Sequence, residues 1–140
     1  MDRQRIALVQ DSFGRLRPHS DRLVILAYEN YFAMHPDQRA LFPKDLTLQG
    51  IKVMSTLAVL VHGLKDLDSL LPRLSELAQI HADYDVSAAH YQDFGTSLIS
   101  AIETCLGAPL TPEEREAWSE AYSMWAKTML RAASGQERVR

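Results

Sequence analysis

The sequence predicts an all-α fold, and three observations support this prediction. Apolar residues recur at intervals of three and four along most of the 140-residue chain, which is the spacing of an amphipathic helix. The segments defined in this way begin at residues that cap helices and end at glycine or proline. The chain also has no alternating run of β-branched residues and no internal repeat. We therefore expect six long or medium helices and one short helical segment.

Start and stop signals set the expected bounds of these helices. We expect the six helices at residues 3–16, 22–34, 46–62, 70–81, 88–106 and 112–133, and the short segment at 36–42. Asp45 and Ser87 are suitable N-cap residues for the third and fifth helices, which Gly63 and Gly107 end. The segment TPEE at 111–114 is a capping box with proline in the favoured first position. Because the third helix is apolar on nearly two of its faces, we expect it to lie centrally.

Composition and charge indicate one soluble domain. A chain with 46% hydrophobic and 24% charged residues is long enough to bury a single core. The net charge of −3 gives no broad attraction for nucleic acid, so we expect no nucleic-acid partner. The expected domain covers residues 1–134 and is followed by a short C-terminal tail at 135–140.

No segment of the sequence predicts export or membrane insertion. The N-terminus lacks a basic stretch followed by an apolar run and a cleavage site. Apolar runs such as residues 53–61 are shorter than the roughly 20 residues that a membrane span needs. The single cysteine, Cys105, can form no internal disulfide. We expect a cytoplasmic protein with no membrane partner.

Histidine is the first candidate for chemistry, because imidazole is a common metal ligand and titrates near neutral pH. The five histidines are scattered, and no two have the HxxxH or HExxH spacing that places a pair of ligands on one helix face. By spacing alone, a metal role for His81 or His90 is therefore the weaker interpretation. Cys105 lies in an apolar stretch, and no serine lies in a GxSxG turn, so nucleophilic catalysis is not indicated.

Four segments of the chain carry a resemblance to a known family. They are YENYFAMHPDQRALF at 28–42, LQGIKVM at 48–54, IHADYDVSAAHYQDFG at 80–95 and AWSEAYSMWA at 117–126. Over nearly its whole length, the chain resembles the single-domain bacterial haemoglobins of the Vitreoscilla type and the globin part of flavohaemoglobins. This resemblance implies a globin fold of six to seven helices packed around a pocket for haem b.

The resemblance implies residues on both faces of the haem. His81 matches the proximal histidine that coordinates the iron, and is the single metal ligand that we expect. Phe42 matches the phenylalanine that packs on the haem ring. Tyr28 and Gln49 match the distal residues that donate hydrogen bonds to a bound gas, which carries partial negative charge.

Four further residues are expected to contact the cofactor. Val53 lies one helical turn after the distal Gln49, and Lys52 beside it can reach a haem propionate. Val86 lies five residues after His81 in the same motif, and Tyr91 matches a family tyrosine near the proximal histidine. In the family, that tyrosine acts with a glutamate on the last helix, but here the corresponding residue is Ala133 and no Asp or Glu occurs at 121–136.

The resemblance implies reversible oxygen binding, for transport or delivery, as the leading function. A glutamate at this position would strengthen electron donation from His81 to the iron. Its absence therefore weakens the case for an enzyme. The alternatives are a nitric oxide dioxygenase served by a separate reductase, and a haem-based gas sensor. The expected partners are oxygen and nitric oxide, and we expect a monomer or a homodimer.

Overall fold

Six α-helices form the structure, a computed structural model that describes residues 1–139 and the side chains of residues 1–134. The helices are α1 (Arg3–Arg15), α2 (Ser20–Met34), α3 (Thr47–His62), α4 (Leu67–Asp83), α5 (Ala88–Leu106) and α6 (Pro112–Val139). Short 3₁₀ segments lie at Arg17–His19, Pro36–Leu41 and Gly63–Lys65. The described residues contain no β-strand, and the prediction of an all-α fold is confirmed.

The predicted signals act at both ends of α5 and at the start of α6, whereas the N-cap position of α3 is Leu46 and not the expected Asp45. The Ser87 side chain accepts a hydrogen bond from the backbone of His90, whose ring accepts one from the backbone of Ser87. Thr111 and Glu114 form the same reciprocal pair at the start of α6. Gly107 ends α5 in a left-handed conformation with φ of 73°, which favours glycine.

Two helix ends differ from the sequence prediction by three residues or more. Helix α4 begins at Leu67, three residues before the predicted start, with Asp66 at its N-cap position. Helix α6 continues to Val139, past the predicted end near residue 133. Good helix formers at 136–138 follow Gly135, whose cost in a helix interior is only about 1 kcal/mol. The expected tail at 135–140 ends at Arg140, which lies outside the described residues, and the tail as a separate unit stays a prediction.

The core lies between α5, α6 and the helices that pack on them. Helix α2 packs against α5, while α1 and α4 both pack against α6. The indole N–H of Trp118 donates to the Ser12 hydroxyl across 2.8 Å, which joins α6 to α1 inside the core. Since α5 contacts both α2 and α6, side chains from distant parts of the sequence meet along it.

Helix α3 lies less centrally than its apolar sequence predicts. Only one side of it is buried, and Leu48 and Ile51 are 63% and 59% exposed. By length and composition alone, the segment Thr47–Lys65 could cross a membrane, since its mean hydropathy is 1.2. A single segment of this kind is weak support for a membrane span, because core helices of soluble proteins meet the same test.

Candidate functional site

A buried tyrosine and a glutamine from two different helices form the polar part of the site. The Gln49 side-chain amide on α3 donates a hydrogen bond to the Tyr28 hydroxyl on α2 across 3.2 Å. Tyr28 is only 6% exposed, and burial raises the pKa of its hydroxyl, although the hydrogen bond from Gln49 acts in the opposite direction. The Tyr28 hydroxyl is therefore neutral near pH 7. Because Gln49 uses a lone pair of the oxygen, the O–H proton stays available to a ligand.

Aromatic rings surround this tyrosine. Its ring centroid lies 5.0 Å from that of Phe42, 5.2 Å from that of Phe94 and 5.6 Å from that of Phe32. Centroid separations in this range, with tilted or stacked planes, are favourable for aromatic pairs. The Tyr28 hydroxyl thus lies at the edge of an apolar cluster that includes Phe42, the expected haem contact.

His81 lies near the end of α4 with one ring nitrogen engaged. Its Nδ1 donates to the backbone carbonyl of Leu77 across 2.7 Å. Within the described residues, Nε2 has no hydrogen-bond partner, so Nε2 is the nitrogen available to a metal. The backbone N–H of Val86 donates to the carbonyl of His81 across 3.2 Å, which holds the following loop against the end of the helix.

Tyr91 stacks on His81 and is itself held by α6. The two rings are 5.4 Å apart and inclined by 22°. Burial raises the pKa of Tyr91 to about 12. The Tyr122 hydroxyl donates to the backbone carbonyl of Tyr91 across 2.6 Å. A Cβ atom added at Gly95 would lie 2.5 Å from the ring of Tyr122, so glycine is required for this close approach.

Helix α5 joins the tyrosine cluster to the histidine. Tyr91 contacts His81, while Phe94, three residues later and on the same face of the helix, contacts Tyr28. Phe94 and Phe32 are not among the site residues expected from the sequence. Phe94 lies three residues after Tyr91, and Phe32 lies four residues after Tyr28. Residues at these spacings share a helix face, which is the signal that could have placed both phenylalanines at the site.

Val53 and Lys52, the remaining expected cofactor contacts, form no side-chain hydrogen bond with the residues around Tyr28 or His81 in the described part of the chain. Val53 is half-buried on α3, one turn after Gln49, and Lys52 is exposed. The roles of both residues as cofactor contacts stay predictions, as do the other assigned site roles. His35 has a different partner, since its Nε2 lies 2.7 Å from a carboxylate oxygen of Asp93.

The donor set of the site fits a haem. The described residues contain no group of three or more His, Cys, Asp or Glu side chains that could hold a metal ion. A single free imidazole nitrogen suffices when the metal arrives in a porphyrin, which supplies four nitrogens of its own. The fold and the donor set are therefore those expected of the class of all-α proteins that hold haem through one histidine.

Comparison with known proteins agrees with this class. The sequence profile described as Globin matches residues 25–129, which is most of the chain. The protein belongs to the globin family, and the resemblance stated from the sequence is confirmed.

Relatives and solved structures place it among bacterial globins. The chain is 27% identical over 138 residues to a flavohemoprotein of Chromobacterium violaceum and 28% identical over 120 residues to one of Xylella fastidiosa. These matches cover 96% and 84% of the chain but only 34% and 30% of the relatives, so the chain spans about a third of their length.

Two solved structures share its fold. A Rhodothermus marinus protein, described as an engineered carbene transferase and assigned as a nitric oxide dioxygenase, matches with a TM-score of 0.86. The two chains are 26% identical, and the match covers 99% of this chain and 97% of the other. A bacterial globin from Campylobacter jejuni matches with a TM-score of 0.84 at 18% identity, over 98% of this chain and 99% of the other, which supports the fold alone.

Proposed function

We propose that this globin binds haem b through Nε2 of His81 and holds oxygen reversibly, as a carrier or delivery protein. The observation that carries the proposal is the hydrogen bond from Gln49 to the hydroxyl of Tyr28. This bond leaves the phenolic proton of a buried, neutral tyrosine free to donate. A donor in an apolar surrounding stabilises a gas ligand that carries partial negative charge and slows its release.

Haem supplies an iron atom with one open coordination position, and the chain supplies what surrounds it. His81 is oriented by the carbonyl of Leu77 and by the stacked ring of Tyr91. Phe42 and the other aromatic rings near Tyr28 exclude water from the side where the ligand binds. Tyr28 donates to the ligand, and Gln49 keeps the Tyr28 hydroxyl in the required orientation.

The partner of His81 favours a carrier over an enzyme. Nδ1 donates to a neutral backbone carbonyl, and within the described residues no carboxylate accepts from it. A carboxylate partner would make the imidazole a stronger electron donor to the iron, which assists the cleavage of an oxygen bond. A carbonyl partner supports binding and release instead.

Nitric oxide dioxygenase activity is the second candidate, and the names of the relatives favour it. The curated relatives are flavohemoproteins, and the Rhodothermus marinus protein carries a nitric oxide dioxygenase assignment. This activity would need the iron to be reduced again after each turnover, and under this second proposal a reductase supplies the electrons. Location in the cytoplasm and a monomeric or dimeric state also stay predictions.

A visible spectrum of the protein reconstituted with haemin tests the haem site. We expect a Soret band in the wild type that His81→Ala alters and that His62→Ala leaves unchanged. His62 is a matched control because it is an exposed histidine at the end of α3. A Soret band that His81→Ala leaves unaltered would contradict the assignment of His81.

Mixing the oxygenated protein with nitric oxide separates the two functions. A carrier consumes one equivalent of nitric oxide and then stops in the ferric state, because an added flavin-dependent reductase with its nicotinamide cofactor reduces it too slowly for turnover. Sustained turnover that depends on the reductase would overturn the carrier proposal in favour of the dioxygenase.

A further inference from the structure

One arginine binds three consecutive carbonyl groups of the segment that contains Phe42. The guanidinium of Arg39 donates to the carbonyl of Phe42 across 3.3 Å, to that of Pro43 across 2.9 Å and to that of Lys44 across 2.9 Å. These residues follow the 3₁₀ segment Pro36–Leu41 and precede α3, so the backbone here has no helical partners for the three carbonyls. Arg39 supplies those partners from a single side chain.

The same guanidinium also contacts the aromatic cluster. Its central carbon lies 5.3 Å from the ring centroid of Phe32, within the range of a cation–π interaction. Phe32 in turn lies 5.4 Å from Phe42 and 5.6 Å from Tyr28. Arg39 is therefore joined to Phe42 in two ways: it donates to the backbone carbonyl of Phe42, and it contacts the ring of Phe32, which packs on Phe42. Tyr28 packs against both phenylalanines.

We propose that Arg39 is a positioning residue of the site: it fixes the segment 42–44 so that Phe42 stays packed against Tyr28. The proposal deepens the proposed function and rests on it for the haem-dependent part. Arg39 does not touch the ligand and acts through the two aromatic rings. Its loss would let Phe42 move away, which would loosen the haem and displace the Tyr28 hydroxyl.

The shape of arginine explains why this residue suits the role. Its planar guanidinium offers five N–H donors in a fixed fork and can reach several carbonyls together, whereas lysine has a single compact ammonium group. Hydrogen bonds from a charged donor are also stronger than those between neutral groups. We therefore expect Arg39→Lys to hold the segment 42–44 in part and Arg39→Ala not to hold it.

Amide hydrogen exchange of the full chain, as purified and after loading with haemin, tests the claim about the segment. We expect Arg39→Ala to raise the exchange rate about ten-fold for the N–H of Phe42, which donates to the carbonyl of Arg39, and for the first turn of α3. A ten-fold change corresponds to about 1.4 kcal/mol. The amides of α5 should not change, which shows that the variant folds. Arg17→Ala is the control, since Arg17 lies exposed in another 3₁₀ segment and makes no side-chain hydrogen bond among the described residues.

Haem dissociation and the infrared stretch of bound carbon monoxide test the claim about the pocket. We expect Arg39→Ala to release haem about ten-fold faster than the wild type and to shift the carbon monoxide band toward that of Tyr28→Phe. Arg39→Lys should lie between the wild type and Arg39→Ala in both measurements. A role in stability alone would leave that band unchanged. Exchange and haem release within two-fold of Arg17→Ala would overturn the proposal. If the wild type bound no haem, the proposed function would fail, while the exchange measurement would still decide the role of Arg39.

Discussion

The amide nitrogen of Gln49 lies 3.2 Å from the hydroxyl oxygen of Tyr28 and donates a hydrogen bond to it. The two residues come from adjacent helices, and Gln49 stands 21 positions after Tyr28 in the sequence. The bond occupies an acceptor lone pair of the phenol and leaves its proton free, so the two side chains form one donor unit rather than two competing donors.

This relationship predicts unequal and non-additive effects of the two residues on oxygen release. Tyr28→Phe removes the donor, and we expect the dissociation rate to rise about 10- to 100-fold, the equivalent of one hydrogen bond of about 1.5–3 kcal/mol. Gln49→Leu removes only the orienting bond and should raise the rate less. Stopped-flow measurement of the double variant should give the rate of Tyr28→Phe. If the rate of the double variant instead rose by the product of the two single effects, Gln49 would donate to the ligand directly.

Two helical glycines should respond oppositely to alanine. In Gly95→Ala, the new Cβ would lie 2.5 Å from the ring of Tyr122, and such overpacking costs about 1–3 kcal/mol. In Gly14→Ala, the new Cβ would have no neighbour within 4 Å, and a gain of about 0.5–1 kcal/mol is expected from the better helix former. Urea unfolding of both variants measures the difference. Equal effects would show that the approach of Tyr122 to α5 is not tight.

The two tryptophans of α6 form a second matched pair. Trp118 donates to Ser12 across 2.8 Å, whereas the buried indole N–H of Trp125 has no partner among the described residues. Both side chains are almost fully buried, so replacement by phenylalanine removes similar apolar area. We expect Trp118→Phe to lose about 1–3 kcal/mol more than Trp125→Phe, because only the first breaks a buried hydrogen bond. Chemical denaturation checks this, and a larger loss at Trp125 would contradict it.

Buried tyrosines predict a loss of stability in alkali. Burial raises the pKa of Tyr31 and of Tyr91 to about 12, against about 10 in an unfolded chain. Below pH 10, both groups are protonated in either state, so stability is unaffected. Between about pH 10 and 12, the unfolded chain ionises first, and the free energy of unfolding falls by up to about 1.4 kcal/mol for each unit of pKa shift.

The variant Tyr91→Phe isolates one contribution to that loss. Its unfolding free energy should decline less steeply than that of the wild type when urea titrations are compared at pH 9, 10 and 11. Parallel declines for the two proteins would show that Tyr91 ionises equally in the folded and unfolded states.

Local signals in the sequence were sufficient to predict both ends of α5 and the start of α6. Ser87, Gly107 and the segment at 111–114 each act within four residues of the helix end that they define, so their effect does not depend on distant contacts. The position of α3 was less predictable. Its apolar residues indicated a central helix, yet α5 and α6 occupy the centre, and a pattern of apolar residues does not state which helix is buried deepest.

The sequence by itself determined the all-α class, the caps of α5 and of the start of α6 and, through the motif residues, membership of the globin family. Only the tertiary structure showed that Gln49 donates to Tyr28, that Tyr122 binds the backbone of Tyr91, and that Arg39 binds the chain around Phe42. Caps and periodicity arise from neighbours along the chain, whereas these contacts depend on how the helices pack. Packing is set by the sum of many small contacts between helices, and that sum cannot be read from the spacing of residues within any one of them.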